Sequence, residues 1–148
     1  KKLAHKLNNN LVILRVSNII GDKNKIKRIH NTFVDLFFQN TKKGFLIDNK
    51  KDYKDFISIE KFCEIIKNII KKNLVGIFNV SIGRKIFLND VVSWLNKFNA
   101  EKPVIVGKNS KSDCFYLNNK KLMSKIKIKN SISDLKKRCF EISKKRFS

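Results

Sequence analysis

The 148-residue sequence predicts an α/β fold, and three features carry that prediction. Short apolar runs of strand length alternate with segments whose apolar residues recur at helical spacing. Nowhere does the chain show the sustained pattern of an all-helical or an all-β protein. At 148 residues and 42% hydrophobic content the chain can build one domain with a packed core but is short for two.

Lys1–Asn9 reads as the end of a helix, with Leu3 and Leu7 on one face. Leu11–Val16 is an apolar run broken only by Arg15 and predicts a buried strand. Ser17 and Asn18 form a polar tip where that run stops, and Gly21 permits a turn. In open α/β sheets the ligand lies beyond the carboxyl ends of the strands, so Ser17 and Asn18 are candidate contacts. A charged loop, Asp22–Lys27, follows. Ile29, Phe33, Leu36 and Phe37 then fall at helical spacing over Ile29–Asn40, with Gly44 closing the element.

Phe45–Asp48 reads as a short strand, Asn49–Tyr53 as a turn and Phe56–Ile59 as a second extended piece. Phe62, Ile65, Ile66, Ile69 and Ile70 make the stripe of an amphipathic helix that reaches about Asn73, with lysines on its opposite face. Gly76–Ile82 is strand-like and stops at Gly83. Leu88, Val91, Val92 and Leu95 mark another helix, with Trp94 and Phe98 beside its apolar face. Pro103–Val106 is a strand begun by the only proline, Lys108–Ser112 a polar loop and Phe115–Leu117 a brief strand. The last helix starts near Ser131, which stands three residues before Asp134 as in a capping box, and carries Ile132, Leu135, Cys139 and Ile142.

The net charge of +22 invites a nucleic-acid reading, with lysines on phosphates and twelve Phe available for bases. Against it, the excess is nearly all lysine and is spread along the chain; the arginines are only Arg15, Arg28, Arg84, Arg138 and Arg146. Abundant Lys, Asn, Ile and Phe are the residues of A/T-rich codons, so a biased genome accounts for most of the charge. No helix-turn-helix, zinc or RNP-type signature is present, and nucleic acid is not the expected partner. No apolar run approaches the ~20 residues that cross a bilayer, and the KKLAHKLNNN opening lacks the apolar stretch of a signal peptide. A sequence without an initiator methionine is expected to begin inside a longer protein. Cys63, Cys114 and Cys139 are widely spaced with no CxxC, so no metal site is expected. They read as reduced, mostly buried thiols of a cytoplasmic protein.

Four segments, in order, resemble the C-terminal half of the NAD-dependent epimerase/dehydratase family, the extended short-chain dehydrogenase/reductases that act on sugar nucleotides, and a fifth extends the resemblance toward the end of the chain. Lys1-Lys2-Leu3-Ala4-His5 is similar to the end of the family's YxxSKLAHE segment, and LRVSNIIG (Leu14–Gly21) to LRxxNVYGP. KDFISIEKF (Lys54–Phe62) is similar to RDFIHVDDV, GIFNVSIG (Gly76–Gly83) to GVYNVGSG, and FYLNNKKL (Phe115–Leu122) to FxLDNxKL. The resemblance covers essentially the whole chain. It implies the C-terminal portion of a Rossmann-type fold: the last strands of the parallel sheet plus the small α/β substrate-binding domain. Residues 1–22 would supply the end of the catalytic helix and a core strand, and residues 23–148 mostly the substrate domain.

By the same resemblance Lys2 takes the place of the lysine that holds the nicotinamide ribose and favours the tyrosinate, and Val16 adjoins the cofactor. Asn18 falls on the asparagine that approaches the substrate's pyrophosphate, and Lys54 on the arginine position. His30 and Asn31 stand where the family's helix begins near the nucleotide, and Leu46 and Asp48 on the strand that runs along the base. The parent enzyme would use NAD or NADP and a UDP- or dTDP-sugar, in surface-polysaccharide or deoxysugar synthesis, and would form a homodimer. The Gly-rich dinucleotide turn, the acidic residue that reads the adenosine ribose, the catalytic Ser/Thr and the Tyr itself have no counterpart in this sequence, so the chain alone is expected to be inactive. Further departures are Lys54 for arginine, Ser58 for histidine and Asp22 for proline. Near Lys85–Leu88 the usual Ser/Thr helix cap is replaced by Ile86 and Phe87. Two other readings stay open: a small basic nucleic-acid-binding domain, and a non-catalytic remnant that pairs with another subunit through exposed apolar surface.

Overall fold

The computed structural model describes residues 11–22, 32–41, 45–46, 51–100, 105–106, 112–129 and 131–147. Strand β1 (Val12–Val16) pairs in parallel with β6 (Gly76–Val80), Val12 opposite Gly76 and Val16 opposite Val80. At Ser17 the chain changes partners. The Ser17 amide donates to the Val80 carbonyl at 3.0 Å, whereas the Asn18 amide donates to that of Asp55 at 3.2 Å. Strand β2 (Asn18–Ile20) then runs parallel to β5 (Phe56–Ser58). One nearly continuous extended segment therefore ties two strand pairs together. Among the described residues two further pairs complete the strands: β3 (Phe45–Leu46) parallel to β8 (Ile105–Val106), and β4 (Tyr53–Lys54) antiparallel to β7 (Ile86–Phe87).

Five helices accompany them among the described residues: α1 (Phe33–Thr41), α2 (Ile59–Lys71), α3 (Leu88–Leu95), α4 (Lys120–Met123) and α5 (Ile132–Phe147). Helix α2 begins where the Ser58 hydroxyl accepts from the Lys61 amide at 3.3 Å. It ends as Asn73 takes a left-handed φ of 47°, a conformation that asparagine tolerates. Helix α5 carries the expected capping box: Ser131 Oγ accepts from the Asp134 amide at 3.2 Å and lies 2.9 Å from Asp134 Oδ2. Helix α3 starts at Phe87 with no side-chain cap, as its sequence requires; the Leu88 amide donates to the Asp52 carbonyl instead, at 3.0 Å.

Two apolar clusters flank the β2–β5 pair. One gathers Ile20, Phe37, Phe56, Leu88, Leu95, Leu135 and Cys139 between α1, α3 and α5. The other gathers Ile57, Ile65, Ile69, Phe78, Val80, Leu122 and Ile126 between α2, β6 and α4. Phe56 and Ile57 are adjacent and enter different clusters because successive side chains of a strand point to opposite faces.

Several expectations need correction. The β1 strand is not buried: Val12, Ile13 and Val16 are each about two-fifths exposed, because the described structure covers only part of that strand's surface. Ile70 is 68% exposed, so the stripe of α2 is narrower than its apolar residues suggest. Tyr53 belongs to a strand, not a turn, and Phe115–Leu117 forms no strand. Cys63 and Cys114 are exposed; only Cys139 is buried. The first helix begins at Phe33, while Ile29, Gly44, Lys1–Asn9 and most of the 22–27 loop lie outside the described residues.

Candidate functional site

The partner change at Ser17 places two polar side chains at the carboxyl end of β1. Ser17 is buried, and its hydroxyl meets no hydrogen-bond partner among the described residues. Asn18 is half-buried and donates through Nδ2 to the Asp55 carbonyl at 3.3 Å, which holds its amide against the residue that follows Lys54. This bond and that of the Asn18 amide to the same carbonyl set Asn18 beside the backbone that follows Lys54, although 36 positions separate the two residues in the chain.

Lys54 projects from the short β4 strand. Its Nζ lies 2.7 Å from Asp113 Oδ2 and 5.9 Å from the centre of the Phe115 ring. Lys85 stands over the Tyr53 ring at 4.7 Å and over Tyr116 at 5.9 Å. Lysine ammonium groups, partly exposed aromatic rings and a mostly exposed carboxylate therefore flank β4, one group at Lys54 and the other at the neighbouring Tyr53. Such a set can attract an anion, cover a planar ring and accept hydrogen bonds from hydroxyls.

Two buried carboxylates fix the surface from below. Asp55 accepts from the amides of Gly83 at 3.0 Å, Leu117 at 3.1 Å and Ile82 at 3.2 Å. Burial pushes its pKa up, and these donors oppose the shift. Asp52 accepts from Ser112 Oγ at 2.8 Å and the Asp113 amide at 3.3 Å. The Ser112 hydrogen bond holds the Asp52 carboxyl below its usual range against the effect of burial, helped by the Asp113 amide, Cys114 and Lys54. Together they clamp residues 112–117, which have no regular structure, beside Tyr53 and Lys54.

The remaining expected site residues divide in two. Val16 ends β1, about two-fifths exposed, and Leu46 lies in β3. Lys2, His30, Asn31 and Asp48 lie outside the described residues. Ser58, which departs from the family's histidine, is spent as the cap of α2. Asp22 pairs with Lys145 and, at 3.1 Å, with Arg146. Sequence reasoning missed Asp113, Lys85 and Tyr116, for which no local motif exists; they reach the site through contacts between distant segments.

A cavity of about 600 Å³ opens on the other side of β2, between Ile19, Gly21, Ile59 and α5. It includes neither Asn18 nor Lys54, and its charges largely satisfy one another: Arg138 pairs with Glu60 at 3.3 Å and with Glu141 at 3.2 Å. The unpaired Ser17 hydroxyl beside Asn18, with Lys54 next to Asp55, marks the better candidate. No cluster able to hold a metal ion occurs among the described residues.

No family model matches the sequence, and no curated protein matches it either. Solved structures do match, and the fold is that of nucleotide-sugar epimerases and dehydratases. A UDP-N-acetylglucosamine 4-epimerase from Methanobrevibacter ruminantium M1, in complex with UDP-N-acetylmuramic acid, aligns with a TM-score of 0.75 at 14% identity over 97% of this chain and 48% of its own. The dTDP-glucose 4,6-dehydratase of Bacillus anthracis, in complex with NAD, aligns at 0.71 with 14% identity over 97% and 46%. The enzyme WbmG of Bordetella bronchiseptica, in complex with NAD and UDP, aligns at 0.62 with 21% identity over 92% and 45%. The chain spans about half the length of these structures.

Proposed function

We propose that this chain is the substrate-binding portion of an NAD(P)-dependent nucleotide-sugar epimerase, dehydratase or reductase. The observation that carries the reading is the convergence of Asn18 and Lys54 beside Asp55, on a fold shared with enzymes of that kind. Lys54 meets the diphosphate of a UDP- or dTDP-sugar as a point charge, leaving Asp113 to accept from ribose hydroxyls. Asn18 offers donors and an acceptor to the same phosphates, and the unpaired Ser17 hydroxyl stands next to it. By the family resemblance Val16 and Lys2 are assigned to the cofactor, NAD or NADP, and His30, Asn31, Leu46 and Asp48 to the nucleotide. Residues 1–22 belong with the catalytic helix and core strand, residues 23–148 with the substrate domain. The parent enzyme works in the cytoplasm as a homodimer, in surface-polysaccharide or deoxysugar synthesis, and this portion binds substrate without turning it over.

Calorimetric titration with UDP-glucose and dTDP-glucose tests the reading. Saturable binding is expected, weakened roughly tenfold or more by Lys54→Ala through loss of a charge-assisted contact. Asn18→Ala weakens it less, and Lys145→Ala, remote from the site, leaves it unchanged. Absence of binding by the folded protein, or equal binding by Lys54→Ala, overturns it.

A further inference from the structure

Acidic residues are absent from two stretches of the sequence, residues 65–89 and 114–133, which carry five Lys or Arg each. These stretches pack on each other: Leu122 and Ile126 bury against Ile65, Ile69, Phe78 and Val80. Among the described residues Asp22, Glu60, Glu64, Asp113 and Glu141 all find cations from outside both stretches.

At the end of α2 the first of these stretches turns apolar. Ile70 is 68% exposed and Val75 49%, and with Val12, Ile69, Asn73 and Leu74 they line a shallow groove of about 420 Å³. Lysines border it: Lys67 stands one helical turn before Ile70 and Lys71 next to it. Lys72 Nζ reaches the Lys125 carbonyl at 2.7 Å, and Lys121 Nζ the Ile77 carbonyl at 3.1 Å. The left-handed turn at Asn73 presents Val75 directly after the helix. Aliphatic side chains that protrude among ammonium groups suit an anionic lipid surface, where lysines meet headgroups and the apolar groups enter the acyl boundary. Base stacking needs rings, and none lines this groove.

We infer that the face formed by Ile70, Val75, Lys67, Lys71 and Lys72 docks on an anionic membrane surface. Such docking needs no membrane span, and no described helix is long and apolar enough to be one. It is independent of nucleotide-sugar binding, because Asn18 and Lys54 take no part in it.

Co-sedimentation with vesicles of equimolar phosphatidylglycerol and phosphatidylcholine tests the inference, against vesicles of phosphatidylcholine alone. The protein is expected to pellet with the anionic vesicles only, less as salt rises. Each of Lys67→Gln, Lys71→Gln and Lys72→Gln is expected to weaken binding about fivefold. Ile70→Glu, at an exposed position, is expected to weaken it roughly tenfold or more with unchanged circular dichroism. Failure to bind anionic vesicles overturns the inference, as does full binding by Ile70→Glu. Tighter binding of a single-stranded oligonucleotide, indifferent to Ile70→Glu, assigns the face to nucleic acid instead. A dimer in sedimentation velocity that Ile70→Glu dissolves assigns it to a second copy of the chain.

Discussion

Asp52 and Asp55 stand three residues apart, both buried, and shift in opposite directions. Asp52 is depressed first by the Ser112 hydroxyl; its folded-state pKa therefore lies below the unfolded one. Its stabilising contribution is present above the unfolded value and is lost as pH falls through the folded value. Asp55 is raised by desolvation, so its own contribution runs the other way and improves on acidification. Between neutrality and about pH 3 the urea midpoint of Asp52→Asn is expected to fall less than that of the unsubstituted protein. An equal or steeper fall in that variant would refute the assignment. The thiols give a second prediction at this scale. Burial pushes the Cys139 thiol up to about 12, so it stays protonated as well as covered. Cys63 and Cys114 are exposed, so a thiol reagent is expected to label those two in the native protein and Cys139 only in denaturant. None of this was legible in the sequence, where three isolated cysteines look alike and the partners of Asp52 lie some sixty residues away.

At the scale of elements, α5 shows how much local pattern can specify. Ser131 and Asp134 satisfy each other at its start, and Leu135, Cys139 and Ile142 recur at helical spacing into the core. Ser131→Ala is expected to cost about 1 kcal/mol in urea denaturation. A cost near zero would mean that tertiary packing alone fixes the helix start. Strand β1 and helix α2 were equally legible, because an apolar run and a helical stripe are properties of neighbouring residues. The β4–β7 pair was not, since two residues make no period and the pairing joins Tyr53 to Phe87. Residues 112–119 misled for the related reason that FYL looks like a strand but is held by Asp52, Asp55 and Tyr53 instead. Ile70 misled because periodicity says which face is apolar and cannot say what covers it. At the candidate site the same limit applies: Asn18 and Lys54 stood out through their motifs, while Asp113 and Lys85 became visible only with the fold.

For the whole molecule, the question is whether two apolar clusters make one cooperative unit. The β2–β5 pair lies between them, with Phe56 on one side and Ile57 on the other, both fully buried. Residues 112–122 bridge the same gap, clamped by Asp52 and Asp55 at one end and anchored by Leu122 in the second cluster at the other. Losing either cluster would strip one face of the shared strands, so neither should outlast the other. Leu122→Ala tests this, because Leu122 is fully buried in the second cluster while Trp94, the sole tryptophan, packs on the first. The substitution is expected to cost about 3 kcal/mol. It is expected to lower the midpoint reported by Trp94 fluorescence as far as that reported by far-ultraviolet circular dichroism, because the fluorophore senses a defect it does not touch only if the clusters unfold together. A fluorescence midpoint that stays put while the dichroism shifts would show two separately melting units. The surface carrying Lys54 and Asn18 would then lie on a boundary between them.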